Sequence, residues 1–259
     1  MSNPLSIATI QFDVKWEDKQ SNFRYVEQQL LLIDKATQLV ILPEMFSTGF
    51  SMNPSLLAES MEGETVKWMT ELAEKFSVAL MGSIIVSENG NNFNRMIFAK
   101  PDGEIEFYDK RHLFRMGEEN NHYTGGKQRK IFNFLGWRIC PQICYDLRFP
   151  VWSRNRNDYD LLVYVASWPK ARRKVWRTLA IARAMENQSY VAIANRVGVD
   201  GMNLEYSGDS MIIDYKGDII AEAVLGESSV VNAIIDKQQL IEFKDKFPTW
   251  MDADVFTLD

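Results

Sequence analysis

Three residues of this chain stand where reactive groups are commonly placed, each beside or after an apolar run. Glu44 lies in "VILPEMFSTGF", Lys110 in "FYDKRHLF", and Cys144 follows "WRICPQI" and opens "CYDLRFP". A carboxylate flanked by Pro43, Met45 and Phe46 enters a poorly solvated place, where desolvation raises its pKa towards the range useful for proton shuttling. A lysine set among Phe107, Tyr108, Leu113 and Phe114 can act as a fixed cation for a developing oxyanion. A cysteine presented on a strand-to-helix turn is a nucleophile, and a helix N-terminus and a nearby cation would favour its thiolate. Each residue also has a plainer reading: a carboxylate turned to solvent or capping a helix, a snorkelling surface lysine, a packed core thiol. In this order they supply a base, a cation and a nucleophile.

The elements that would hold them follow from hydrophobic periodicity. "LSIATIQF" (5–12) is a strand, residues 18–34 a helix with Phe23, Val26, Leu30 and Ile33 on one face, and "QLVILP" (38–43) a buried strand, which makes a βαβ start. A helix over 64–76 and strands over 78–86 and 91–100 follow, with "PDGE" (101–104) as a turn. The second half gives a strand at 160–167, a helix at 171–188 and a strand at 190–198. A hairpin around "YKGD", the strand "SSVVNAIID" and a helix at 237–246 complete it. The fold class is α/β with mixed sheets covered by helices, and loops at the carboxyl ends of such strands are where chemistry sits. No repeat or linker divides the chain, so residues 1–259 read as a single domain.

Composition narrows the function. With 46% hydrophobic and 25% charged residues the chain is too apolar for disorder. Its 35 acidic against 29 basic residues speak against a nucleic-acid partner. The opening "MSNPLSIATIQF" has no basic start followed by a long apolar core, and no stretch approaches a membrane span, so the expected location is cytoplasmic. Cys140 and Cys144 on one extended segment lie about 13 Å apart at ~3.3 Å per residue, beyond disulfide reach. With His112 and His122 they form no recognised zinc spacing, so free thiols in a reducing compartment are expected.

The segments "LPEMF", "YDKRHLF" and "CYDLRFP", in this order, resemble the nitrilase superfamily of carbon-nitrogen hydrolases. "IATIQFDVKWEDKQSNF" and "ARAMENQSYVAIANRVG" resemble its opening and late elements, so the likeness spans nearly the whole chain. The resemblance implies a four-layer α-β-β-α sandwich, commonly a homodimer joined through helices beside the active site. It implies Cys144 as nucleophile, Glu44 as base, and Lys110 with the backbone N–H of Tyr145 as oxyanion donors. A second glutamate seven residues before a glycine and close to an aromatic is implied as well. In "GEENNHYTGG" Glu119 fits, with Gly126 and Tyr123 in place, and Glu118 is its neighbour. No metal or organic cofactor is implied.

"KRHLF", "CYDLRFP", "WSRNRNDYDLLVYVASWP" and "ARAMENQSYVA" most resemble the ω-amidase branch, above all its bacterial YafV type. That implies a small amide partner, 2-oxoglutaramate or 2-oxosuccinamate, cleaved to the 2-oxo acid and ammonia. Its distal carboxylate calls for a bidentate cation. Arg115, Arg172 and Arg173 are the candidates, and each can equally be a solvated or interface arginine. Trp168 is either a pocket wall or core. Arg148 is expected to pair with a buried carboxylate near the Cys144 turn, and His112 to be structural. N-carbamoyl compounds, other small amides and nitriles are alternative substrates. A non-catalytic module binding an acidic partner through "KARRKVWR" is the alternative of a different class.

Overall fold

Leu5 and Ile7 pack between two sheets, whereas Ala8 and Ile10, out of step by one residue, pack outward under helices. This is the period-two signature of a strand covered on both faces. The same split recurs at Leu39 and Ile41 against Val40 and Leu42, and at Met96 and Phe98 against Ile97 and Ala99.

The computed structural model describes residues 4–257. Its first half runs β1 (Pro4–Gln11), α1 (Lys19–Leu32), β2 (Leu39–Ile41), α2 (Pro54–Leu57), α3 (Glu64–Phe76), β3 (Ala79–Glu88), β4 (Asn91–Ala99) and β5 (Ile105–Asp109). The second runs α4 (Glu119–His122), β6 (Phe132–Phe134), β7 (Trp137–Ile143), α5 (Pro150–Ser153), β8 (Leu161–Ala166), α6 (Arg173–Asn187) and β9 (Tyr190–Asn195). It ends with β10 (Val197–Val199), β11 (Glu205–Ser207), β12 (Met211–Ile213), β13 (Ile219–Glu222), β14 (Ser229–Asp236) and α7 (Lys237–Lys246).

One mixed sheet has the order β14-β1-β2-β3-β4-β5, a second β13-β12-β9-β8-β7-β6, and β10 pairs with β11 as a separate ribbon. Phe23, Val26 and Leu30 of α1 and Val66, Met69 and Leu72 of α3 cover the outer face of the first sheet. Trp176, Ala180 and Ala184 of α6 cover the second. The four layers are α-β-β-α, as the family resemblance implied.

Strand direction gathers the chemistry at one edge. β1, β2 and β3 are mutually parallel, as are β7, β8 and β9. β4 is antiparallel to β3 and β5 to β4, so β5 ends where β3 ends and β4 begins there. The two carboxyl edges meet: the N–H of Ser167, just after β8, donates to Glu44 Oε2 just beyond β2, at 2.8 Å.

Two expectations change. The run 190–198 is broken at Arg196, because the Asn195 side chain ties the end of β9 to Trp168 and Gly208 and the chain then leaves the sheet for β10. The helix expected after Cys144 is a 3₁₀ turn over Cys144–Arg148, followed by the four residues of α5. Pro150 explains the break, since Phe149 before it is held at φ −117° and ψ 83°, outside the helical region.

Candidate active site

Glu44 lies in a turn pinned to β3. Met45, at φ 45°, donates its N–H to Ser83 Oγ at 2.9 Å, and the Phe46 N–H donates to Ser83 O at 3.2 Å. Lys110 continues β5: its N–H donates to Asn94 O at 3.0 Å, and its carbonyl accepts from Gly126 N at 2.8 Å. A Cβ on Gly126 would lie 2.2 Å from Asp109 O, so only glycine lets the chain return this close. That return carries the segment bearing Glu119 back against Lys110.

The side chains converge in a cluster with no solvent contact. Lys110 Nζ donates to Glu44 Oε1 at 2.7 Å and to Glu119 Oε1 and Oε2 at 3.0 and 2.9 Å. The Phe114 N–H holds Glu119 Oε2 at 2.6 Å. Glu119, not Glu118, is therefore the glutamate that meets the lysine; Glu118, at φ 58°, faces the cavity above. Burial opposes the charge on Lys110, but the carboxylates of Glu119 and Glu44 outweigh it and raise its pKa.

Asn94 was not singled out from the sequence. Its Nδ2 donates to Glu44 Oε1 at 2.8 Å and to Glu119 Oε1 at 3.1 Å, bridging the two carboxylates. The signal was available in "NNFNRMIF", where Asn94 shares a strand face with the core residues Met96 and Phe98. A polar residue on a buried face needs partners. Lys110→Gln is expected to destabilise the fold by about 3–5 kcal/mol, because two buried carboxylates lose their counter-charge. A denaturant midpoint unchanged from wild type would refute that.

Cys144 opens the 3₁₀ turn at φ 44°, a left-handed conformation for a non-glycine residue, and is 8% exposed. Burial raises its thiol pKa well above the ordinary value; the charge and hydrogen bond of Glu44 add to this, and Lys110 opposes it. Burial and Glu44 thus oppose the thiolate that a helix N-terminus and a cation would favour. The Tyr145 N–H lies in the first turn, where backbone donors have no acceptor within the helix.

The buried carboxylate beside this turn is Asp146, and its partner is His112 rather than Arg148. His112 Nδ1 lies 2.8 Å from Asp146 Oδ1, and the ring stacks on Phe149 at 3.8 Å between centroids. Arg148 instead lies over the Trp168 ring at 5.2 Å and lines the cavity. Asp146 points inward behind the turn, and Arg148, two residues on, points out of it.

That cavity, about 480 Å³, opens over Cys144 and is walled by Phe114, Tyr145, Trp168 and Tyr206, with Arg148 and Arg172 as its cations. Trp168 is thus a wall, held by its indole N–H donating to Arg172 O at 3.0 Å. Arg172 lies over the Phe114 ring at 5.4 Å. Arg115 does not line the cavity; it sits in the turn Arg115–Gly117 and faces solvent. Neither does Arg173, whose guanidinium pairs with Asp209 at 2.8 Å, as does Arg177 one helical turn later at 3.0 Å. Lys170 pairs with Glu205. The basic stretch thus spends much of its charge on carboxylates of the same chain, which weakens its reading as a docking face.

Comparison with known proteins identifies the family. The family model for carbon-nitrogen hydrolases matches residues 6–245. The chain is 44% identical over 254 residues to the omega-amidase YafV of Escherichia coli K12, covering 98% of each chain. It is 33% identical to the 2-oxoglutaramate amidase of Bacillus subtilis, covering 95% of this chain and 96% of the relative. Among solved structures, XC1258 of Xanthomonas campestris, a CN-hydrolase superfamily protein with an arsenic adduct in its active site, superposes with TM-score 0.96. It is 42% identical, with 99% of each chain covered. The chain belongs to the carbon-nitrogen hydrolases of the nitrilase superfamily, on the branch of the YafV-type ω-amidases.

Proposed function

We propose that this protein, a single carbon-nitrogen hydrolase domain over residues 1–259, releases ammonia from the terminal amide of a small 2-oxo dicarboxylic acid monoamide, 2-oxoglutaramate or 2-oxosuccinamate. The observation that carries this is a buried carboxylate, Glu44, that holds Lys110 Nζ at 2.7 Å beneath a cavity lined by Cys144 and two arginines. The ω-amidase and 2-oxoglutaramate amidase relatives support the substrate.

Cys144 Sγ attacks the amide carbon as its proton passes to Glu44. Before attack the cluster holds two carboxylates and one ammonium; afterwards Glu44 is neutral and the oxyanion carries the displaced charge, so the net charge is unchanged. Lys110 Nζ and the Tyr145 N–H stabilise that oxyanion. Glu44 returns the proton to the departing ammonia, leaving a thioester on Cys144. Water deprotonated by Glu44 then releases the acid and restores the thiol. The route needs no metal or organic cofactor. The Lys110→Gln variant should lose about 10²- to 10³-fold in kcat with substrate binding far less affected.

Arg148 and Arg172 receive the distal carboxylate. The test is ammonia release from 2-oxoglutaramate beside glutamine, an N-carbamoyl amino acid, a simple nitrile and a neutral aliphatic amide. Arg148→Leu and Arg172→Leu should each raise KM for the oxo-amide on the order of 10- to 100-fold, the worth of a hydrogen bond to a charged group, and spare the neutral amide. Preference for another panel member, or equal losses on the neutral amide, would overturn the substrate assignment.

The same reading makes the protein a cytoplasmic homodimer. Two unpaired thiols suit a reducing compartment. α5 and α6, the helices packed against the Cys144 turn, leave Val151 and Met185 50% and 55% exposed.

A further inference from the structure

We infer that Asp146 is a positioning residue for the reaction: its carboxylate ties the turn carrying Cys144 to the segment carrying Lys110. Asp146 Oδ2 accepts from the N–H of Ile143, the residue before Cys144, at 3.0 Å. The same oxygen accepts from the hydroxyl of Tyr108, two residues before Lys110, at 2.8 Å. Oδ1 accepts from the His112 N–H, two residues after Lys110, at 2.9 Å, and faces His112 Nδ1. One side chain thus grips the approach to Cys144 and both flanks of Lys110.

The grip is itself held. Tyr108 and Asp146 are fully buried. Burial and the Asp146 charge raise the Tyr108 pKa, so the phenol keeps its proton and donates. Its oxygen in turn accepts from Trp152 Nε1 at 2.9 Å and from the Arg111 N–H at 3.3 Å. A non-glycine residue at φ 44° is strained and persists only where its surroundings over-determine it. The Ile143 N–H bond to Asp146 supplies that constraint one residue upstream. Its bonds to Ile143, Tyr108 and His112 go to the segments that need alignment.

This inference rests on the roles proposed for Cys144 and Lys110. Asp146→Asn keeps the size but turns one acceptor oxygen into a donor facing donors. Expected is a fall of about 10²-fold in kcat per alkylatable Cys144 thiol, with KM within about twofold, the scale of a small misplacement of reacting groups. An unchanged kcat per thiol, with only a lower melting temperature, would reduce Asp146 to a structural residue. Should Asp146→Asn not fold, His112 decides. His112→Leu should lower kcat per thiol about tenfold, one hydrogen bond to a charged group, and His112→Asn, whose amide can replace the Nδ1 donor, should restore most of it. Equal kcat in His112→Leu and wild type would overturn the inference. Turnover by Cys144→Ala would instead overturn the assignment beneath it.

Discussion

Cys144→Ala is expected to fold normally and release no measurable ammonia, a loss of about 10⁶-fold, the scale seen when a covalent nucleophile is removed. Cys140→Ala should do the reverse, keeping most of the activity while losing about 1 kcal/mol of stability, as for one buried methyl-sized group. The contrast follows from where the two thiols sit. Cys140 is fully buried within β7, its pKa pushed up to about 12 by burial, with Gln142 Nε2 at 3.6 Å. Deleting its sulfur leaves a void in the core. Cys144 lines the cavity, and alanine there leaves no sealed void and keeps the same left-handed backbone. Ammonia release and thermal melts on both variants read the crossing directly. Equal activity losses in the two would make Cys144 a packing residue.

Glu44 and Cys144 stand out in the sequence because each follows a run of apolar residues that is local in sequence, and Lys110 because Phe107, Tyr108, Leu113 and Phe114 flank it. Glu119 is implied by the family resemblance, whose glycine seven residues on is the Gly126 crowded against Asp109. What stayed hidden depends on partners far away in the chain. Arg173 reads as well as Arg172 for a substrate cation until Asp209, 36 residues on, takes it up. The pairing with a buried carboxylate expected of Arg148 falls to His112, 34 residues upstream of Asp146. The strand β5 was not read as such. "IEFYD" alternates, but Ile105 and Phe107 are only partly buried on the outer face of an edge strand, so its apolar signal is faint. The 3₁₀ turn after Cys144 reads as a helix in the sequence because "YDLRF" has ordinary helical composition and Pro150 acts one residue back.

Glu44→Gln separates two ways of using a cysteine. Turnover should fall by about 10²- to 10⁴-fold, the contribution of a general base. The thiol of Cys144 should nevertheless become easier to ionise. Burial raises its pKa first, and the Glu44 charge and hydrogen bond raise it further, while Lys110 pulls it down. Glutamine removes the carboxylate's contribution and leaves that of Lys110, so the pKa shifts down from its wild-type value. The alkylation rate with iodoacetamide against pH reports this: the rise should begin at lower pH in the variant. The substitution has a local cost, because the new NH₂ must face either the Ser167 N–H or the Lys110 and Asn94 donors. That is worth about 1–3 kcal/mol and is read separately by melting. An enzyme that stores a thiolate against a cation gives the opposite sign, since neutralising the partner raises the thiol pKa. A profile that stays in place or moves to higher pH would therefore remove Glu44 from the path of the proton, whatever happened to kcat.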